Sequence, residues 1–258
     1  MANWTRTQLL IALNLYCKLP FGKFHKTNPQ IVATAEKIGR TPSALAMKLS
    51  NFASLDPIFI ASGRKGLESA SAADREIWDE FLAYPNDIGL ASQEAFDAIA
   101  AADARLSELS SNSEIEVVPS YFAETTTATV VVRRKQSFFR KAVLSSYESR
   151  CCMSGISHPK LLIASHIVPW SKDEHNRLNP ANGLCLSALH DKAFDQGLIT
   201  VLPDLIIRVS EALQDIESSS DSHALLLALH GKPITPPQKL APSTDFLDYH
   251  NKHIFLGP

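Results

Sequence analysis

No stretch of this sequence approaches the ~18 uninterrupted apolar residues that a membrane span requires, and MANWTRTQLL at its start lacks a basic-then-apolar signal pattern. The expected location is therefore the cytoplasm. Cysteine is scarce: Cys17, Cys151, Cys152 and Cys185 show no CxxC spacing and no disulfide-framework density. That suits a reducing compartment and argues against a zinc knuckle with all-cysteine ligands. Internal repeats are lacking too. What remains is a 258-residue chain with 45% apolar residues, enough for one large globular domain or two modest ones.

The net charge of −2 hides a strong asymmetry. Residues 1–65 carry nine Lys/Arg against two acids, 66–124 carry two against thirteen, and 125–258 carry fourteen against twelve. Three blocks of such different sign are ill suited to a single partner surface, and the basic head is the natural one for nucleic acid.

Helical periodicity dominates the first half. Leu9, Leu10, Leu13 and Tyr16 share one face of a first helix. Asn28-Pro29 and Thr41-Pro42 each read as an N-cap followed by proline at the first helical position, and Gly39 separates the two. Joined by Gly-Arg-Thr, these helices predict a helix-turn-helix corner, ringed by Arg40, Lys48, Arg64 and Lys65 as phosphate contacts. Two further helices are predicted over 68–109, one through Ile77, Trp78 and Phe81, the other through Phe96 and Ile99. The Ser-rich, aperiodic run 107–120 marks a boundary. The resulting division is a helical module at 1–110, a linker at 111–132 and a second domain at 133–258. The second domain opens with a basic helix whose Arg133, Arg134, Arg140 and Lys141, with Arg150 beyond, could lead a nucleic-acid backbone, or could equally be its solvated face while Phe139, Val143 and Tyr147 pack inward.

The chemistry gathers in the next fifty residues. A short apolar run ends at Ser165-His166-Ile167-Val168-Pro169-Trp170, a polar loop follows, Gly183-Leu184-Cys185-Leu186 starts a second strand, and Ser187 caps a helix that Gly197 stops. The order is strand, loop, strand, helix. On that helix Asp191 and Asp195 lie four residues apart, so their carboxylates project from one face about one turn from each other. Two like charges so placed repel, and a hard divalent cation between them would reverse the sign.

The segment from Arg150 to Val201 resembles the HNH (ββα-metal) endonuclease family, most closely its restriction-like branch. The residues that carry the resemblance are Cys151 with Ser154-Gly155, then His166-Ile167-Val168-Pro169-Trp170, Asn182-Gly183-Leu184 and Phe194-Asp195-Gln196-Gly197. They cover about a fifth of the chain. The resemblance implies that His166 is the general base, that the Asn182 amide braces the loop holding it, and that Asp195 is a metal ligand. It also implies scission of the P–O3′ bond of DNA with Mg²⁺, or Mn²⁺ in its place. A homodimer would serve double-strand cleavage.

Two departures from the family pattern stand out. The slot nine residues after Asn182, often histidine in the family, is Asp191 here, while His190 sits one residue earlier. Either residue could fill the role. Asp191 is preferred, because a shift to His190 would carry Phe194 into the second slot. Ser165, just before the base, is a poor metal ligand. The expectation is thus an α+β protein, a helical module followed by an HNH nuclease domain, acting in restriction or defence; the alternative is a DNA-binding regulator that keeps the nuclease fold without its activity.

Overall fold

The structure is a computed structural model that describes residues 3–61, 70–110, 126–214 and 221–257, with the side chains of 102–110, 126–133, 214 and 222 left aside. Arg64, Lys65, the Arg133 side chain and residues 111–125 of the expected linker lie outside what is described. The architecture is α+β, helical in the first half and built on two small antiparallel hairpins in the second.

Each early helix starts where its capping chemistry dictates. Thr5 and Gln8 close a capping box on α1 (Arg6–Lys18). The Asn28 carboxamide accepts from Gln30 N at 2.9 Å to start α2 (Pro29–Lys37), and the Thr41 hydroxyl accepts from Ala44 N at 3.2 Å to start α3 (Pro42–Leu55). Gly39 takes the left-handed turn between them, at φ +66°. A short α4 (Pro57–Ala61), α5 (Ala72–Ala83) and the long α6 (Pro85–Ser110) complete the helical half. The two sequence-predicted helices of 68–109 are these last two.

Helix α7 (Thr126–Ser146) begins seven residues before the expected second domain, so the described end of the linker is helical. It packs against α1 and α6 on one side and against the first hairpin on the other. That hairpin pairs β1 (Leu162–His166) with β2 (Gly183–Ser187), Leu162 facing Ser187 and His166 facing Gly183. Ser187 caps α8 (Ala188–Asp195), which lies against both strands. A second hairpin follows, β3 (Ile199–Val201) with β4 (Ile207–Val209), then α9 (Glu211–Gln214), α10 (Asp221–Leu227) and α11 (Thr244–His253), the last packed on β3.

The two halves share one contiguous buried core that runs from Leu13 and Phe52 through Phe138 and Phe139 to Leu186 and Phe194. Buried polar ties cross the same seam. The Lys239 ammonium donates to the carbonyls of Tyr16, Cys17 and Leu19 at the C-terminal end of α1, and Asp56 accepts from both the Tyr16 hydroxyl and Leu240 N at 2.8 Å. An ammonium at that helix end satisfies carbonyls that have no intrahelical partner.

Candidate active site

The site begins with a glycine. Opposite His166 across the hairpin is Gly183, and a Cβ there would stand 2.4 Å from Val143 Cγ2 and 2.9 Å from Phe139 Cζ. Only the missing side chain lets α7 come this close to the hairpin. The Phe139 ring thereby stacks on the His166 imidazole, with centroids 3.7 Å apart and planes 10° from parallel, and Trp170 meets it edge-on at 5.4 Å. One imidazole edge is fixed by a hydrogen bond between Nε2 and the Arg177 carbonyl at 3.0 Å. A carbonyl can only accept, so Nε2 carries the proton and the Nδ1 lone pair is left for chemistry. Burial holds the His166 pKa below the usual imidazole value, with the Arg177 carbonyl pulling partly the other way.

The loop that presents Arg177 is braced by amides. Buried Asn182 accepts from Val168 N at 2.8 Å through its Oδ1 and donates to Val168 O at 3.1 Å through its Nδ2, so one carboxamide clamps both backbone groups of a single residue. Asp173, Asn176 and Asn179 continue the brace towards Asn182: Asp173 accepts from Asn176 N and Nδ2, and Asn179 Nδ2 donates to Asn176 Oδ1 at 2.9 Å. Arg177 itself is anchored by a bond from its Nε to Trp170 O at 3.0 Å.

The two aspartates of α8 are a second group, reached from the neighbouring strand residue. Ser165 and His166 are consecutive on β1 and so point to opposite faces. Burial raises the Asp191 carboxyl above the ordinary range; the Ser165 hydroxyl, near it without completing a hydrogen bond of full geometry, works in the opposite direction. Asp195, the more exposed of the two, is raised by desolvation and then by repulsion from Asp191. Among the described residues no three His, Cys, Asp or Glu side chains come together as a metal-binding group.

His190 is buried, its Nδ1 lying 3.2 Å from Cys151 Sγ and 3.1 Å from the hydroxyl of Ser187, the cap residue of α8. Burial pushes the Cys151 thiol up, but hydrogen bonds from His190 and Ser154, with backbone N–H groups, outweigh it and bring the pKa down to about 6. Cys151 thus holds the first turn of α8. Cys151 belongs to the pattern that carries the resemblance, but nothing in that pattern pointed to its contact with His190. Phe139 stacking under the base and the Arg177 carbonyl had no sequence signal, because both depend on where α7 and the loop settle.

The basic residues divide. Arg140, Lys141 and Arg150 are exposed, Arg140 donating to Pro159 O at 3.2 Å and lining a cleft of about 310 Å³ together with Gln136, Trp170 and His166. Arg134 is paired with Asp97 at 3.3 Å. Arg40 donates to Asn3 O and Gln8 Oε1 and lies over the Trp4 ring. For Lys48 the structure corrects the expectation of a phosphate contact: it is 7% exposed, its ammonium pairs with buried Asp74 at 2.5 Å and lies over Trp4. The physical reason is visible in the spacing, since Lys48 falls between Leu45 and Phe52 on the buried face of α3.

A two-stranded hairpin crossed by a helix, with an oriented imidazole at the strand end and carboxylates on the helix, is a ββα arrangement. Residues 151–202 match the family model described as HNH endonuclease. The comparison with curated proteins gives no match. No helix among the described residues is long and apolar enough to cross a membrane.

Proposed function

We propose that the chain is a metal-dependent DNA endonuclease that hydrolyses the P–O3′ bond, acting in restriction or defence. The observation that carries this reading is the His166 arrangement: Nε2 donates to the Arg177 carbonyl, the ring is stacked on Phe139, and among the described residues no partner takes Nδ1. With its pKa lowered, this imidazole is neutral near pH 7 and ready to accept a proton. As a water oxygen attacks phosphorus, its proton passes to Nδ1, the P–O3′ bond breaks, and the departing oxygen takes up a proton from solvent. The products are a 5′-phosphate and a 3′-hydroxyl. Asn182 acts one step back, keeping the loop and therefore the Arg177 carbonyl in place.

The residues on α8 fit a divalent cation. Two carboxylates stand close enough for Asp191 to raise Asp195, and the buried Ser165 hydroxyl near Asp191 lacks a hydrogen-bond partner of full geometry, so these oxygens have lone pairs that a cation would take up. Mg²⁺ keeps several waters and needs only one or two carboxylates; Mn²⁺ would suit the same donors. When bound, such an ion supplies charge stabilisation to the phosphate and the leaving oxygen. Asp191 and Asp195 are the ligands in this reading, and buried His190 positions the helix that carries them.

The test is cleavage of supercoiled plasmid in Mg²⁺, in Mn²⁺ and in EDTA, with His166→Ala alongside. Loss of a general base costs ~10²–10⁴-fold in rate. The variant is expected to fall by that amount while still binding DNA. Because burial lowers the His166 pKa in the free protein, protonation switches the base off only below pH 6.5, so the acid limb of wild-type kcat/KM lies below that value. Wild-type rates from His166→Ala would remove the assignment; absence of wild-type cleavage in every metal would favour the DNA-binding regulator, a reading to which the Ser165 departure points.

A further inference from the structure

Two residues fix the His166 imidazole, Arg177 through its carbonyl and Phe139 through its ring. Their chain neighbours, Leu178 and Phe138, meet the helical half at a single residue. That residue is Gly89 on α6, where a Cβ would stand 3.1 Å from Phe138 Cε1 and 3.2 Å from Leu178 Cβ. Both neighbours are fully buried. Glycine is among the poorest helix formers, so a position inside a helix gains from alanine unless the added carbon has no room. At Gly89 the added carbon would press on both neighbours at once. Helix α6 is itself tied down at this point: the Ser92 hydroxyl donates to Gly89 O at 2.8 Å and accepts from Asn14 Nδ2 on α1 at 3.1 Å.

A second contact reaches the same loop from α5. His175 Nε2 donates to Ala83 O at 2.9 Å, one of the carbonyls that a helix end leaves without an intrahelical partner. The Tyr84 ring meets the His175 ring edge-on at 6.1 Å. His175 stands two residues before Arg177, and Asn176 between them is held by Asp173 and Asn179. The loop is therefore stiff, and where α5 seats His175 bears on where the Arg177 carbonyl lies.

We propose that the helical half positions the His166 imidazole, α6 through Gly89 and α5 through His175, and thereby governs turnover and not only substrate binding. The consequence for turnover rests on the nuclease reading, while the orientation of the ring does not. Gly89 and His175 are positioning residues: each acts through the chain beside a residue that holds the ring. Were these contacts packing alone, loosening them would lower the melting temperature and leave the imidazole as it is.

The experiment reads the ring directly, by proton–nitrogen correlation spectra of the histidine side chains in EDTA at alkaline pH, where the imidazole is neutral. The His166 signals are identified by their loss in His166→Ala. In the wild-type protein Nε2 should appear as the protonated nitrogen and Nδ1 as the bare one. His175→Ala, at an exposed position, and Gly89→Ala should each draw the two shifts towards one another, because a ring released from the Arg177 carbonyl samples both tautomers. His175→Gln, which keeps a donor, should restore the wild-type pattern. In plasmid cleavage with metal, kcat of the two alanine variants should fall roughly tenfold, short of the ~10²-fold that a misplacement of about 1 Å costs, with KM and duplex affinity unchanged. Gly22→Ala, where a Cβ meets nothing within 4 Å, should alter neither spectrum nor rate. A wild-type tautomer pattern in folded His175→Ala overturns the proposal, and that variant decides the matter alone should Gly89→Ala fail to fold. Lost duplex affinity with the pattern intact also overturns it, leaving the helical half as a binding surface. A wild type that cuts nothing in any metal removes the nuclease reading, and a tautomer change in the variants then still supports the positioning of the ring.

Discussion

Which side chains are the proposed metal ligands turns on a single residue of register. Buried His190 spends its Nδ1 on Cys151 and Ser187, whereas Asp195 feels Asp191, and Asp191 feels the Ser165 hydroxyl. Changing either aspartate to Asn should therefore raise the metal concentration needed for half-maximal cleavage, because a neutral amide oxygen attracts Mg²⁺ less than a carboxylate does, and Mn²⁺ should rescue part of the loss. His190→Ala should instead lower the melting temperature and leave the metal requirement nearly unchanged. A metal titration of the three variants decides it: a large shift for His190→Ala with none for Asp191→Asn would move the site by one residue.

Among the elements, the contact of α7 with the hairpin sets the His166 ring, the proposed base. The Asn-Gly-Leu run is read from sequence as a strand start, but its glycine has a steric duty that only the packed helix reveals. Gly183→Ala places a methyl group against Val143 and Phe139, and overpacking of this kind costs roughly 1–3 kcal/mol. Thermal unfolding should show that loss. Cleavage measured well below the lowered melting temperature should fall further than stability alone explains, since Phe139 cannot retreat without unseating the His166 ring. Full activity in a folded Gly183→Ala protein would show that the stack does not orient the base.

The whole molecule is held as one body by buried charge as well as apolar packing. Lys48 and Asp74 form an ion pair under the Trp4 ring, and Asp74 also accepts from Asn51 at 3.0 Å and from the backbone of Ser71. Removing one member of a buried pair strands the other, at about 3–5 kcal/mol. Lys48→Met should accordingly lower the midpoint of urea unfolding strongly while leaving the salt slope of DNA binding intact. If Lys48→Met flattened the slope without loss of stability, the corner before α3 would regain its place as a phosphate surface.

Local chemistry determined much of this protein without reference to the fold. Asn28-Pro29 and Thr41-Pro42 start helices because a side-chain oxygen and a proline satisfy the first turn wherever they occur, and Ser187 and Gly197 delimit α8 for the same reason. The order strand, loop, strand, helix around His166, Asn182 and Asp195 was legible because each element of the motif is set by its near neighbours in sequence. What the tertiary structure decided were matters of approach between distant segments. Lys48 was assigned to the surface by its charge, yet the helix face it occupies and the buried Asp74 opposite draw it inside. The proton on His166 is located by a carbonyl eleven residues away, and its ring by a phenyl group from α7. Charge and spacing say which side chains are available, but only packing fixes which of them remain free to meet a substrate, because each buried charge must first find its partner within the fold.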